Sequence, residues 1–130
     1  MREQDLAYAA GIIDGEGSIG ISRRKSNDSY LLTVQVSMTN DAVPEWLHRN
    51  FGGNIGTYQP GKMSLSSKPI TKWAVFGTRA QEFLRGIYPY LHEKERQASV
   101  ALTFPIQERG ADKMGQSFVY DELRVLNRRP

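Results

Sequence analysis

A chain of 130 residues with an ordinary apolar share, 39%, suits one folded domain with one core and excludes a disordered chain. No apolar run is long enough to span a membrane, and the N-terminus is too short in apolar residues and too rich in acids for a signal peptide. The absence of cysteine excludes disulfides and thiolate metal sites, and the net charge of +3 excludes a strongly acidic protein.

These limits predict a single domain over residues 1–130 with no membrane partner. Its expected place is the cytoplasm or nucleoid of a prokaryote or phage host, or an organelle matrix, and it is not secreted. His48 and His92 lie far apart without zinc-ligand spacing and read as ordinary residues. The charge is uneven: Ser18 to Arg79 holds eight basic and three acidic residues, the remainder nine basic and eleven acidic. The middle of the chain is therefore the candidate anion-binding surface. Lysines guarding sheet edges would give the same surplus.

In chain order, Leu6 to Ile13 reads as a helix apolar all round, with Asp5 as its N-cap. The stretches 18–24 and 30–38 alternate as strands, and the turn residues of 25–29 join them as a hairpin. Asn40 or Asp41 caps a short helix that has Pro44 in its first turn and stops at Gly52-Gly53. Residues 54–59 and 69–76 form a second strand pair around the polar loop 60–68. Thr78 and Gln81 fit a capping box for a helix over 79–88. Pro89 separates it from a helix over 90–103, and residues 116–129 form a last one. Hairpin-joined strands with helices between them predict an α+β fold, an antiparallel sheet covered on one face.

The alternation turns Ile19, Ile21, Leu32, Val34, Val36, Met38, Trp73 and Val75 toward the core. It turns Ser22, Arg24, Leu31, Thr33, Gln35, Ser37, Lys72 and Ala74 outward. A curved sheet with a small, polar, basic outer face can lie in a DNA major groove. A sheet face that merely meets water fits the pattern equally well.

The decisive stretch is Ala9-Ala10-Gly11-Ile12-Ile13-Asp14-Gly15-Glu16-Gly17. An apolar helix ends there in two acids, where the helix dipole is itself negative. The stretch resembles the nine-residue signature of the LAGLIDADG homing endonucleases, with Ala9 for the first Leu and Glu16 for the last acid. The element order is also similar to that family, and one motif in a chain of this length resembles its homodimeric members. The resemblance implies an αββαββα core, a saddle-shaped DNA-binding sheet and extra C-terminal helices.

Ala7, Ala10, Gly11 and Asp14 fall on one nearly bare helix face, which suits close two-fold packing against a second copy. Packed so, both acidic ends meet at the symmetry axis and call for counter-charge. All-oxygen ligands favour Mg2+, with Mn2+ as a substitute and Ca2+ expected to support binding without cleavage. By the resemblance, Glu16 and the Gly15 carbonyl are the metal ligands, and Asp14 steadies the turn and the dimer contact. Lys94, the one cation in an apolar helical stripe with Leu91, Ala98, Ala101 and Leu102, maps onto a lysine that stabilises the reaction. Where relatives carry a polar residue that positions the attacking water, this chain has Met38, leaving Asn40, Gln35 or water for that role.

The reading is a metal-dependent, site-specific DNA endonuclease of the intron-encoded homing type. It would make a staggered break with 3′ overhangs in a long pseudo-palindromic duplex. The expected DNA contacts are Ser22, Arg24, Thr33, Gln35, Ser37, Thr57, Gln59 and Lys72. The alternatives are an RNA-splicing maturase or a non-cleaving nucleic-acid-binding protein on the same scaffold, so RNA stays open as a partner.

Overall fold

The computed structural model describes residues 2–24, 29–59, 68–106 and 113–128. In chain order it comprises α1 (Glu3–Glu16), β1 (Gly17–Arg24), β2 (Ser29–Met38), α2 (Ala42–Phe51), β3 (Asn54–Tyr58), β4 (Ile70–Phe76) and α3 (Gly77–Ile87). A 3-10 turn at Tyr88–Tyr90, α4 (Glu95–Ala101) and α5 (Lys113–Asn127) follow. The expected α+β fold is the observed one. Its antiparallel sheet has the order β1-β2-β4-β3, so each hairpin puts one strand at an edge and one at the centre.

The apolar alternation builds the core as expected. Ile19, Leu32, Val34, Val36, Trp73 and Val75 leave one sheet face and meet Ala9, Ile13, Leu47, Leu84 and Ile87 from the helices. Each of the larger side chains buried there contributes about 1.5–3 kcal/mol relative to exposure. Trp73 is fully buried and its indole N–H donates to the Gly52 carbonyl at 2.7 Å, satisfying an acceptor at the end of α2.

Several local expectations are corrected. The first helix runs three residues beyond Leu6–Ile13 at each end, and Asp5 lies in its first turn rather than at its cap, which is Arg2. Of the two cap candidates of α2, Asp41 holds the N-cap position without a side-chain bond, and the Asn40 Oδ1 accepts from the Ala42 N–H at 2.8 Å. The Thr78–Gln81 capping box does not form. Gln81 is buried and donates to the Phe104 carbonyl at 2.7 Å, anchoring the segment after α4. The helix expected over 90–103 starts only at Glu95, because Leu91 is extended and the next residues are tied elsewhere. The last helix begins earlier, at Lys113. The hairpin residues 25–28, the loop residues 60–67 and Arg129 lie outside the described residues.

The join of α1 to β1 matters most for the site. Strand β1 begins at Gly17, immediately after the last helical residue, with the Gly17 N–H bonded to the Ile13 carbonyl. A Cβ at Gly17 would lie 2.8 Å from the Ile13 Cα and 3.0 Å from its carbonyl oxygen, so glycine alone allows helix and strand to meet so tightly. Gly17→Ala should therefore cost roughly 1–3 kcal/mol, the scale of overpacking at a rigid contact. The check is urea unfolding followed by circular dichroism, and an unchanged midpoint would contradict this account of the join.

Candidate active site

The end of α1 is held by a partner far along the chain. The two carboxylate oxygens of Asp14 accept from the backbone N–H groups of His92, at 2.8 Å, and Lys94, at 2.9 Å. The ammonium of Lys94 donates in turn to the Asp14 carbonyl at 3.0 Å. The His92 and Lys94 N–H groups are thus satisfied by a side chain, while the Leu91 N–H bonds the Tyr88 carbonyl in the preceding turn. Hydrogen bonds to a charged group of this kind contribute about 1.5–3 kcal/mol each. A cation on a C-terminal carbonyl also offsets the negative helix end. Lys94 thus stands beside the motif, though not on a helical stripe with Leu91.

Gly15 and Glu16 remain exposed at the same end. Among the described residues no three His, Cys, Asp or Glu side chains gather as a metal cage. The donor set still fits a hard ion. With Asp14 committed to two N–H donors, Glu16 is the free carboxylate, and Mg2+ characteristically takes one or two carboxylates and fills its shell with water and phosphate.

The face of α1 left open by the subunit differs from the expected one. Ala9, Ala10 and Ile13 are fully buried, so Ala10 packs inside the subunit and is not available to a second copy. Asp14, half-buried, turns its carboxylate to the 92–94 segment. The open row is Ala7, Gly11 and Gly15, spaced i, i+4, i+8, with Tyr8 half exposed beside it. A Cβ at Gly11 or Gly15 would meet nothing within 4 Å.

On the outer sheet face the register assembles rows across the strands. Gly20, Thr33 and Phe76 are aligned, as are Ser18, Gln35, Ala74 and Asn54, and Ser37, Lys72 and Gly56. Ser22, Arg24, Thr33, Gln35, Ser37 and Lys72 share this face. Ser22 and Thr33 reach the Leu31 carbonyl only at 3.4 and 3.5 Å, long for hydroxyl bonds, so both hydroxyls are open to other partners.

Thr57 does not belong with them. Ile55 pairs with Trp73 and Thr57 with Thr71, which puts Thr57 on the helix side of the sheet, its hydroxyl 3.1 Å from that of Thr71. Gln59, exposed, follows the end of β3. Asn54, Gly56 and Tyr58 are the outward residues of that strand, a choice that alternation from Ile55 would have given. The face also carries more bulk than expected, with Leu31, Tyr58 and Phe76 all substantially exposed. The basic surplus is divided: Arg24 and Lys72 lie on the outer face, whereas the Arg23 guanidinium stacks 5.8 Å from the Tyr30 ring centroid on the helix side.

A cleft of about 470 Å3 opens beside Lys94, lined by Gly17, Ser18, Gln97, Asn127 and Arg128 among others. The end of α5 is pinned there by the Asn127 amide, which donates to the Ile19 carbonyl at 2.9 Å. Sequence reasoning missed Gln97, Asn127 and Arg128, because their approach to the motif depends on how α4 and α5 fold back. Of the residues considered in place of Met38, Asn40 is engaged at the α2 cap, while Gln35 stands opposite Ser18, two residues from Glu16.

No protein-family model matches the chain. Its sequence is 28% identical over 132 residues to the DNA endonuclease I-CreI of Chlamydomonas reinhardtii, covering 94% of this chain and 78% of that protein. Its fold is similar to that of the homing endonuclease I-CvuI in complex with the I-CreI target in the presence of Mg, with the DNA not cleaved. The TM-score is 0.77 at 20% identity, over 98% of this chain and 85% of that one. It is also similar to the archaeal intron-encoded homing endonuclease I-Vdi141I complexed with DNA, with a TM-score of 0.72 at 15% identity over 98% and 87% of the two chains. The motif at the end of α1, the strand order and these likenesses agree: the chain has the fold of the LAGLIDADG homing endonucleases and carries one stretch similar to their motif.

Proposed function

We propose that the protein is a homodimeric, Mg2+-dependent, site-specific DNA endonuclease whose 130 residues act as one domain. The observation that carries this reading is the meeting, at one end of α1, of an exposed carboxylate, Glu16, with an ammonium, Lys94, bonded to that same helix end. An acid to hold a divalent ion and a cation to meet phosphate are the groups that phosphodiester hydrolysis requires. The similar nucleases, described as bound to DNA, supply the substrate class.

In this reading Glu16 and the Gly15 carbonyl hold the ion. When bound, the ion activates water and stabilises the departing 3′ oxygen. Lys94 offers its ammonium to the developing charge on the phosphate. Gln35 is the polar side chain best placed to orient the attacking water, with Met38 unable to do so. Ser22, Arg24, Thr33, Gln35, Ser37 and Lys72 face the duplex, and each subunit reads one half of a long, near-palindromic site. Two active sites give a staggered break with 3′ overhangs. Incubating a random duplex library with protein and Mg2+ and sequencing the cut ends tests the whole reading. Recovery of no cut ends with Mg2+ or Mn2+, with tight binding to structured intron RNA, would replace it with the maturase reading.

The open row of Ala7, Gly11 and Gly15 supports association through α1. A side chain at Gly11 enters open space in the subunit, so Gly11→Leu should leave a folded monomer. Light scattering and circular dichroism would check this, and an active Gly11→Leu dimer would put the interface elsewhere.

Glu16→Gln should lower cleavage by roughly a thousandfold or more, since nucleophile activation and leaving-group stabilisation are lost together. Duplex binding in Ca2+ should change little. Lys94→Met should lower the rate by about ten- to a thousandfold, the scale of one lost electrostatic stabiliser. Single-turnover cleavage separates the two effects from binding.

Binding should weaken steeply with salt as phosphate contacts release counterions. Arg24→Ala should change sequence preference as well as affinity. A selection experiment showing equal weakening for every sequence would make Arg24 a phosphate contact only.

A further inference from the structure

We propose that Asp14 is a positioning residue for Lys94: its carboxylate fixes the 92–94 segment, and with it the ammonium, against the end of the helix that carries Glu16. The proposal rests on the nuclease reading above and extends it to an acid whose two oxygens are both taken by backbone donors.

Three bonds join one residue to this short segment across 78 and 80 positions of sequence. They come from both directions: Asp14 accepts the Lys94 N–H at 2.9 Å on its side chain and the Lys94 ammonium at 3.0 Å on its carbonyl. Main chain and side chain of Lys94 are thus referenced to the same residue. The segment has no helical ladder of its own to fall back on. Leu91 is extended, Lys94 has φ −105° and ψ 19°, and α4 starts only at Glu95. Without the carboxylate the two N–H groups lose their acceptor, and the lysine backbone loses its anchor at the end of α1.

The bidentate arrangement needs two acceptor oxygens at once. Asparagine provides one acceptor and would point an NH2 group at the other donor. Glutamate keeps both oxygens one methylene further out. The effect of Asp14 on the rate should therefore pass through Lys94, and the two residues should not act independently.

The test combines single-turnover cleavage of a selected duplex with Mg2+, duplex affinity in Ca2+, and amide hydrogen exchange of the free protein. Wild type, Asp14→Asn, Lys94→Met and the double variant are compared. Asp14→Asn should slow cleavage by roughly ten- to a hundredfold, within the range of a lost stabiliser, and leave Ca2+ affinity within about threefold. Added to Lys94→Met it should cost less than about twofold more. Exchange at His92 and Lys94 should accelerate in Asp14→Asn by at least about tenfold while the amides of β2 stay protected. An equal loss in both backgrounds, or unchanged exchange at His92 and Lys94, overturns the proposal. If Asp14→Asn fails to fold, Asp14→Glu decides: a reduced rate that vanishes as a separate effect in the Lys94→Met background supports the proposal, and an additive loss overturns it. If wild type cuts no duplex, the nuclease reading fails separately, and the exchange data alone decide whether the clamp exists.

Discussion

The carboxylate of Asp14 is the constraint on which the geometry of the site depends. An acid at the C-terminus of a helix is ordinarily unfavourable, since the helix end is already negative. Here it is satisfied by two backbone donors from another part of the chain, and the adjoining carbonyl receives an ammonium. One residue therefore does two things: its carboxylate anchors the 92–94 segment, and its carbonyl holds an ammonium that offsets the negative helix end. The tight join at Gly17 completes the arrangement, because β1 starts where α1 stops and so ties the outer face of the sheet to the acid without an intervening loop.

The two carboxylates of the motif divide their work by environment. Asp14 points inward to donors that fix it, and Glu16 stays exposed to solvent. The glycine between them leaves its own position bare on the open face of α1. The alternation of acid and glycine falls where helix, strand and a returning loop converge.

Much of this was legible in the sequence, and the failures have specific causes. Apolar alternation found every strand and the core face, since burial on one side enforces a two-residue period. The motif points to the two acids by residue type, whereas Lys94 is reached only through the family resemblance. What escaped depended on long-range pairing. Helical periodicity grouped Ala7 with Ala10 and Asp14, yet α1 is buried along the row of Ala9, Ala10 and Ile13, and its open row runs through Ala7, Gly11 and Gly15. For an all-apolar helix the sequence does not say which stripe the subunit covers. The helix over 90–103 is shorter at its start, where Leu91 is extended and the His92 and Lys94 N–H groups bond an acid from the N-terminal region. Gln81 looked like a cap and is instead a buried anchor for Phe104. Thr57 was assigned to the wrong face although Ile55 already fixed the phase of its strand.

The aromatic chain that begins on α1 has an optical consequence. Tyr8, half exposed beside the open row, meets the edge of Trp46 with ring centroids 4.7 Å apart, and Trp46 continues through Phe51 and Phe83 to Trp73. Of the two tryptophans in the chain, Trp73 is sealed in the core and Trp46 is only partly covered. The molecule thus carries two intrinsic fluorophores with separate duties. Emission from Trp73 follows the integrity of the fold, whereas the colour and quenching of Trp46 follow whatever comes to cover the neighbouring face of α1.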